Sequence, residues 1–227
     1  EADFVRTLLL ALSLGGVFLG ALGATGTYDA KRMLAYSTMG QIGFILVGIA
    51  WGTPAGLAAS LVYTFNHSLV KAAMLMLAGA VASRAPVKTA RFQVIQGVGR
   101  SFPSIGLLFF LGGMSLAGLP PTNGFLSKLF LFQSGLQGKE YASMSLLALG
   151  SLISLVYVFR AFQIIWFKPL AEGAAVKTKG DRLMAPAALI AACLLLGIWG
   201  EPLIQAAEQV VLSMSDPSVY IGAIIGR

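Results

Sequence analysis

Long apolar runs, several of them close to the length of a bilayer crossing, constrain this chain more than any other feature. A helix needs about 20 apolar residues to cross the hydrocarbon core of a membrane. Inside lipid only helices and closed barrels satisfy their own backbone groups, and barrels are built from short segments of alternating polarity. The runs here are continuous, and only 11% of the residues are charged, against about 25% in soluble domains. The sequence therefore predicts an all-α integral membrane protein.

The apolar runs divide the chain into about seven helical segments, which we expect to form a single transmembrane domain over residues 1–227. The segment near 122–136 is too short for a confident crossing, and the chain after about residue 204 is expected to form a tail along the membrane interface. The candidate spans are 7–27, 33–51, 57–82, 102–119, 122–136, 142–167 and 184–203.

A break inside the membrane is predicted at Pro120 and Pro121, which stand between two apolar runs. Proline lacks the backbone donor and disfavours a helical residue before it. The short segment that follows ends near Gly135 and Gly138, so we expect one broken or short helix near 120–138. Such breaks occur at membrane depth where protein or a wet cavity satisfies the freed backbone groups.

A polar stripe on the third span carries the first candidate site. Ser60, Thr64, His67 and Lys71 are separated by four, three and four residues, which places them on one helix face, and Asn66 flanks them. A lysine at the bilayer centre costs roughly 2.5–3.5 kcal/mol on insertion scales. We interpret the stripe as a path on which His67 and Lys71 bind and release protons. The alternative is that it joins neighbouring helices by hydrogen bonds.

Lys128 is a second isolated cation, next to Ser127 in the short segment after the prolines. Because that helix is short, snorkelling of the lysine to the interface is an equal alternative to a role inside the membrane. Two buried cations in one small membrane protein indicate movement of ions or protons.

Other classes of function find little support in the sequence. The net charge of +7 lies mostly in the connections 84–100 and 168–182, where basic residues set topology and meet lipid headgroups. We therefore expect lipid contacts and no nucleic acid. One histidine and one cysteine, Cys193, exclude a bis-histidine haem and a multi-cysteine iron–sulfur site within the chain. With no phosphate loop and no catalytic set, we expect no cofactor, no metal and no catalytic centre in this chain.

Three motifs follow one another along the chain: DAKRMLAYSTMGQIGFILVGI (29–49), YTFNHSLVKAAMLMLAGAV (63–81) and LAGLPPTNGFLSKLFLFQSGL (116–136). In this order and spacing they resemble the antiporter-like membrane subunits. This family is shared by respiratory complex I, membrane-bound hydrogenases and Mrp-type sodium/proton antiporters. The stretch FLSKLFLFQSGL and the apolar span after it are most similar to the Mrp D-type subunit.

The resemblance implies a fold and a set of roles. Family members have about fourteen transmembrane helices, with two five-helix repeats of inverted topology, each containing a broken helix. By resemblance Lys31, which by its sequence alone belongs to a solvated turn, is the bridging lysine of a mid-membrane proton axis. His67 and Lys71 lie at the centre of that axis, and Lys128 belongs to the second broken helix at its exit.

The match covers only the second half of such a subunit, beginning one helix before the motif at residue 29. The chain also begins without a methionine. We therefore expect the C-terminal half of a fourteen-helix subunit, with the first repeat supplied by the rest of a longer polypeptide or by a partner. Other membrane subunits of an Mrp-type or complex I-like assembly are expected as partners, in a prokaryotic inner membrane or another energy-transducing membrane.

The leading hypothesis is translocation of protons, or of sodium against protons, within a multisubunit complex. One alternative is a proton-pumping subunit of an NADH- or ferredoxin-dependent quinone oxidoreductase or of a membrane-bound hydrogenase. Another is a structural membrane anchor without transport. The sequence leaves the ion, the direction of transport and the subfamily open.

Overall fold

Helices account for every regular element of the computed structural model, which describes residues 1–170 and 176–215. A 3₁₀ turn at Val98–Ser101 lies between the fourth and fifth helices. The α-helices are α1 Ala2–Gly26, α2 Ala30–Ala50, α3 Pro54–Arg84, α4 Phe92–Ile95, α5 Pro103–Ala117, α6 Asn123–Gln137, α7 Tyr141–Trp166, α8 Met184–Ile198 and α9 Glu201–Ser215.

Four of these helices, α1, α2, α3 and α7, are each long and apolar enough to cross a membrane. Two bent pairs raise the number of candidate spans in the described chain to six. The segment 92–101 meets α5 at 116°, and α8 meets α9 at 78°. The prediction of an all-α membrane protein with about seven helical segments and a short helix after the prolines is confirmed.

The C-terminal part of the chain differs from the prediction. The span expected to run to residue 203 ends at Ile198, and a new helix, α9, begins at Glu201. Residues 205–215, which we expected to belong to a tail along the membrane interface, are part of that helix. Ala207 and Val211 of α9 are buried against Ala58 and Val62 of α3, because the small residues of α3 leave room for a second helix. The remainder of the expected tail, 216–227, lies outside the described residues.

Local chemistry fixes where the second and third helices begin. Asp29 caps α2, since its Oδ1 accepts the backbone N–H groups of Lys31 at 2.9 Å and Arg32 at 3.0 Å. Thr53 caps α3 by accepting the N–H of Gly56, and Pro54 stands in the first turn, where its missing donor is not needed.

Helix α1 packs on α2 through glycines. A Cβ atom on Gly20 would overlap the backbone of Gly40, and a Cβ atom on Gly43 would overlap the carbonyl oxygen of Ser13. Small residues allow membrane helices to approach backbone to backbone, where dispersion contacts replace the hydrophobic drive that lipid does not provide. This packing turns one face of α2 toward α3 and α7.

Helix α3 lies at the centre of the described bundle and touches α2, α5, α6, α8 and α9. Its long buried face carries alanines, valines and leucines, so neighbouring helices come close on several sides. The buried polar side chains of α3, among them Asn66 and Lys71, therefore face other helices and meet polar groups there.

Candidate functional site

Pro120 and Pro121, where the sequence predicts a break, lie in the gap between α5 and α6. Helix α5 ends at Ala117, and Gly118 takes a left-handed conformation with φ of +81° that turns the chain away from the helix axis. The Gly118 N–H bonds to the carbonyls of Met114 and Ser115. Pro120 and Pro121 are exposed in the gap, and α6 begins at Asn123. The broken region therefore leaves the last carbonyls of α5 to be satisfied by other helices.

Lys128 satisfies one of those carbonyls. It lies on α6, is only 6% exposed, and its Nζ donates to the Ala117 carbonyl oxygen at 2.8 Å. The same ammonium lies 5.2 Å from the ring centre of Phe44 on α2, within the range of a cation–π contact. The ammonium thus stands at the negative end of α5, where a cation is favoured. It points inward and does not reach toward an interface.

Lys71 is the second buried lysine, and it too contacts α2. Its side chain is 7% exposed, and Nζ donates to the Leu34 carbonyl at 3.1 Å and to Ser37 Oγ at 2.5 Å, both on α2. In the part of the chain that the structure describes, the one ion pair within 4 Å joins Arg6 and Glu140. Uncharged oxygens therefore hold both buried lysines.

A chain of polar side chains connects the surroundings of the two lysines. Gln41 Nε2 donates to the Leu116 carbonyl at 3.4 Å, next to the carbonyl that Lys128 occupies. The Tyr63 hydroxyl donates to Gln41 Oε1. Tyr157 of α7, which is 2% exposed, places its hydroxyl beside Ser37 and Gln41. Ser37 is the hydroxyl partner of Lys71, and Leu116 immediately precedes the residue whose carbonyl binds Lys128, so these polar groups lie between the binding sites of the two lysines.

A second polar cluster joins α3 to the start of α6. Asn66 Nδ2 donates to Ser127 Oγ at 2.8 Å, and Asn123 Nδ2 donates to Asn66 Oδ1 at 3.3 Å. Ser115 Oγ donates to Asn123 Oδ1 at 2.6 Å. These bonds fix the first turn of α6 against α3 and α5, and hence the position from which Lys128 reaches back to α5.

His67 faces a small cavity between these two networks. The cavity measures about 10 Å³ and is lined by polar groups that include Gln41, Tyr63, Asn66 and Ser127. The His67 Nε2 atom is buried and has no hydrogen-bond partner among the described residues. His67 thus lines a polar space, and its Nε2 is a buried proton-binding atom without a partner in the described chain.

The predicted site residues do not all share one location. His67, Lys71, Lys128, Asn66 and Ser127 lie within or beside the buried networks. Ser60 is buried too, but its hydroxyl donates to the Ile45 and Gly56 carbonyls, which joins α3 to α2.

Lys31 and Thr64 face outward from the described bundle. The Thr64 hydroxyl bonds the Ser60 carbonyl of its own helix at 2.8 Å. Lys31 lies in the first turn of α2, one turn before Leu34, the residue whose carbonyl binds Lys71.

The sequence reasoning missed Ser37, Gln41, Tyr63, Tyr157 and Asn123. Ser37 and Gln41 are four residues apart on α2, a spacing that indicates one helix face, so this pair could have been found. Tyr157 could not, because only the packing of α7 brings its hydroxyl to α2.

Metal chemistry finds no support in the described chain, which contains no group of three histidine, cysteine or acidic side chains placed to hold an ion. The arrangement instead suits proton exchange. Amines, an imidazole, hydroxyls and amides lie in one buried layer, with a cavity at the histidine.

Comparison with known proteins gives a consistent result. A family model described as NADH:quinone oxidoreductase/Mrp antiporter, transmembrane, matches residues 1–154. The chain is 30% identical over 227 residues to the D-type subunit of the Na(+)/H(+) antiporter of Alkalihalophilus pseudofirmus, covering 99% of this chain and 46% of the relative. It is 31% identical over 194 residues to the N-type subunit of the NADH-quinone oxidoreductase of Desulforudis audaxviator, covering 82% of this chain and 38% of the relative.

The fold agrees with a chain in the solved structure of the Mrp complex from Dietzia sp. DQ12-45-1b. The TM-score is 0.87 at 25% identity, and the match covers 98% of this chain and 49% of that chain. The chain thus spans less than half the length of the curated relatives described above.

Proposed function

We propose that this chain, which belongs to the NADH:quinone oxidoreductase/Mrp antiporter family of membrane proteins, forms the proton-translocating half of a membrane subunit. Protons pass along Lys71, His67, Lys128 and ordered water, and Lys31 bridges this path to the first repeat. One observation carries the proposal: Lys71 and Lys128 are both buried and held by uncharged oxygens, and the polar side chains of Ser37, Tyr157 and Gln41 lie between their binding sites.

The type of partner at each lysine supports proton exchange. A buried ion pair that loses one proton leaves a carboxylate unpaired in a medium of low dielectric, which is costly. The carbonyls of Leu34 and Ala117 accept a hydrogen bond from an ammonium and also, more weakly, from a neutral amine. Either lysine can therefore change its protonation state while its hydrogen bonds are kept.

Polar groups lie between the two lysines, and they transmit the electrostatic effect of a change in protonation at either one. Charges interact more strongly in a protein interior than in water, and hydrogen-bonded chains polarise one another. A proton that arrives at Lys71 therefore disfavours a proton at Lys128. This repulsion drives the second proton onward and couples the two sites.

Other membrane subunits complete the proposed assembly. The chain spans less than half of the relatives described above, so we propose that the first repeat comes from the rest of the polypeptide or from a partner. Lys31 is exposed on α2, which supports contact between its side chain and such a neighbour. Lipids surround the apolar outer faces, and the membrane is an inner cell membrane of a prokaryote or another energy-transducing membrane.

A second candidate is a proton-pumping subunit of a redox enzyme. The 31% identity to a subunit of an NADH-quinone oxidoreductase favours this candidate, while the relative from the Na(+)/H(+) antiporter favours sodium/proton exchange. The two differ in what drives transport. A structural anchor without transport could join its helices through uncharged donors, whereas each buried lysine costs free energy.

Transport by the intact complex tests the proposal. The complex that contains the chain is purified, reconstituted into vesicles, and assayed for proton movement with a pH-sensitive dye, driven by a sodium gradient or by a quinone-reducing reaction. Lys71→Ala and Lys128→Ala are each expected to abolish proton movement, and the exposed Lys88→Ala to leave it unchanged. Unchanged transport in both buried variants, with normal assembly, would refute the proposal.

A further inference from the structure

The cavity at His67 has the size and chemistry of a site for one water. A site of about 10–15 Å³ accommodates a single water, provided that two to four polar groups bind it. The cavity measures about 10 Å³, and its lining includes His67, Tyr63, Asn66, Ser115 and Ser127. Since the His67 Nε2 atom is buried without a partner in the described chain, it is the group most in need of a water.

The orientation of Gln41 determines what Tyr63 offers to that water. The Leu116 carbonyl can only accept, so the amide nitrogen of Gln41 must face it and the amide oxygen must face Tyr63. The Tyr63 hydroxyl must then donate its single proton to Gln41. The Tyr63 hydroxyl oxygen can then only accept a further hydrogen bond, and Tyr63 lines the cavity.

We propose that one ordered water binds in this cavity between His67 Nε2 and the Tyr63 hydroxyl oxygen, and that Tyr63, held by Gln41, is the positioning residue for proton transfer through His67. The water donates one hydrogen bond to the Tyr63 oxygen and the other to His67 Nε2. When it gives a proton to His67, it accepts one on its free lone pair from a neighbouring hydronium or ammonium group of the proposed path, so the water itself stays neutral. The expected effect on transport rests on the proposed function, whereas the water site itself does not depend on it.

The position of the cavity gives this water a place in the path. Asn66 and Ser127, which also line the cavity, belong to the cluster that fixes the start of α6. Gln41 contacts the carbonyl adjacent to the acceptor of Lys128. A water at His67 would therefore touch both polar clusters, the one that contains Gln41 and the one that fixes the start of α6.

Tyr63→Phe isolates the hydroxyl, since the ring stays stacked on Phe44, whose centre lies 5.9 Å away. The matched control is Tyr36→Phe, a tyrosine of α2 that is 45% exposed and outside the cavity. A high-resolution cryo-electron microscopy map of the intact complex is expected to show one water within about 2.7–3.2 Å of both His67 Nε2 and Tyr63 Oη. The Tyr63→Phe map is expected to lack it.

Proton transport measures the consequence. Tyr63→Phe is expected to slow transport about tenfold, and His67→Asn combined with Tyr63→Phe to be no slower than His67→Asn alone, because both act through the same water. A purely structural tyrosine would instead give additive losses. Tyr36→Phe is expected to transport normally.

Several results would overturn the inference: an empty cavity in the native map, a side chain of another polypeptide bonded to His67, a water that remains in Tyr63→Phe, or normal transport by that variant. Failure of the proposed function is a different result. Normal transport by Lys71→Ala would refute the proton path while a water at His67 remained in the map.

Discussion

The ammonium of Lys128 donates to the carbonyl of Ala117 at 2.8 Å and so joins the two helices on either side of the break. Lysine and carbonyl are eleven residues apart and belong to α6 and α5. The contact explains how a broken segment persists in a membrane: a charged donor satisfies a carbonyl that the helix leaves without a partner. It also links the protonation of Lys128 to the stability of the end of α5.

Lys128→Gln separates hydrogen bonding from protonation at this contact. The amide still donates to the Ala117 carbonyl but cannot carry a proton charge. We therefore expect the unfolding temperature of the variant complex to lie within a few degrees of the native value. The variant should nevertheless lose proton transport in reconstituted vesicles. The exposed Lys139→Gln, in the turn after α6, is the control and should transport normally. Transport by Lys128→Gln would show that the lysine serves only as a cap.

Ser37→Ala removes the hydroxyl that accepts from Lys71. A hydrogen bond to a charged group contributes about 1.5–3 kcal/mol, so the variant should favour a neutral Lys71 and slow transport several-fold. Ser154→Ala is a matched control, because Ser154 is equally buried but bonds only the Ser151 carbonyl of its own helix. Equal transport rates in the two variants would contradict a role for Ser37 at the lysine.

Gly20→Ala should destabilise the packing of α1 on α2. The added Cβ atom overlaps the backbone of Gly40, and such overpacking costs about 1–3 kcal/mol. Gly15→Ala, on the same helix with open space around it, should be neutral or slightly stabilising because alanine favours a helix. Thermal unfolding of the detergent-solubilised complex measures both. A similar unfolding temperature for the two variants would mean that the helices are farther apart than described.

Asp29→Ala should weaken the start of α2, because the backbone N–H groups of Lys31 and Arg32 lose their acceptor. Loss of such a cap costs about 0.5–2 kcal/mol. Asp29→Asn keeps an oxygen acceptor and should retain most of the stability, again measured by thermal unfolding. Normal stability but lost transport in Asp29→Asn would assign the carboxylate a role beyond capping.

The sequence predicted the candidate site in part. Lys71 and Lys128 stood out because a charge in an apolar run is costly wherever the helix faces. The stripe of Ser60, Thr64, His67 and Lys71 was a weaker guide, since Thr64 faces outward while Ser60 and Lys71 are buried. Helical spacing gives the angle between side chains, but it does not give the rotation of the helix in its bundle.

By itself the sequence determined that the chain is a bundle of membrane helices, that one of them is interrupted at Pro120 and Pro121, and that Lys71 and Lys128 are isolated cations in apolar runs. Each of these properties is local, because hydropathy and proline chemistry act along the chain. Only the tertiary structure decided that Lys128 binds the Ala117 carbonyl, that Lys71 binds Ser37, and that Gln41, Tyr63 and Tyr157 lie between them. Those contacts join different helices, and they depend on the rotation and depth at which each helix packs, which no single segment encodes.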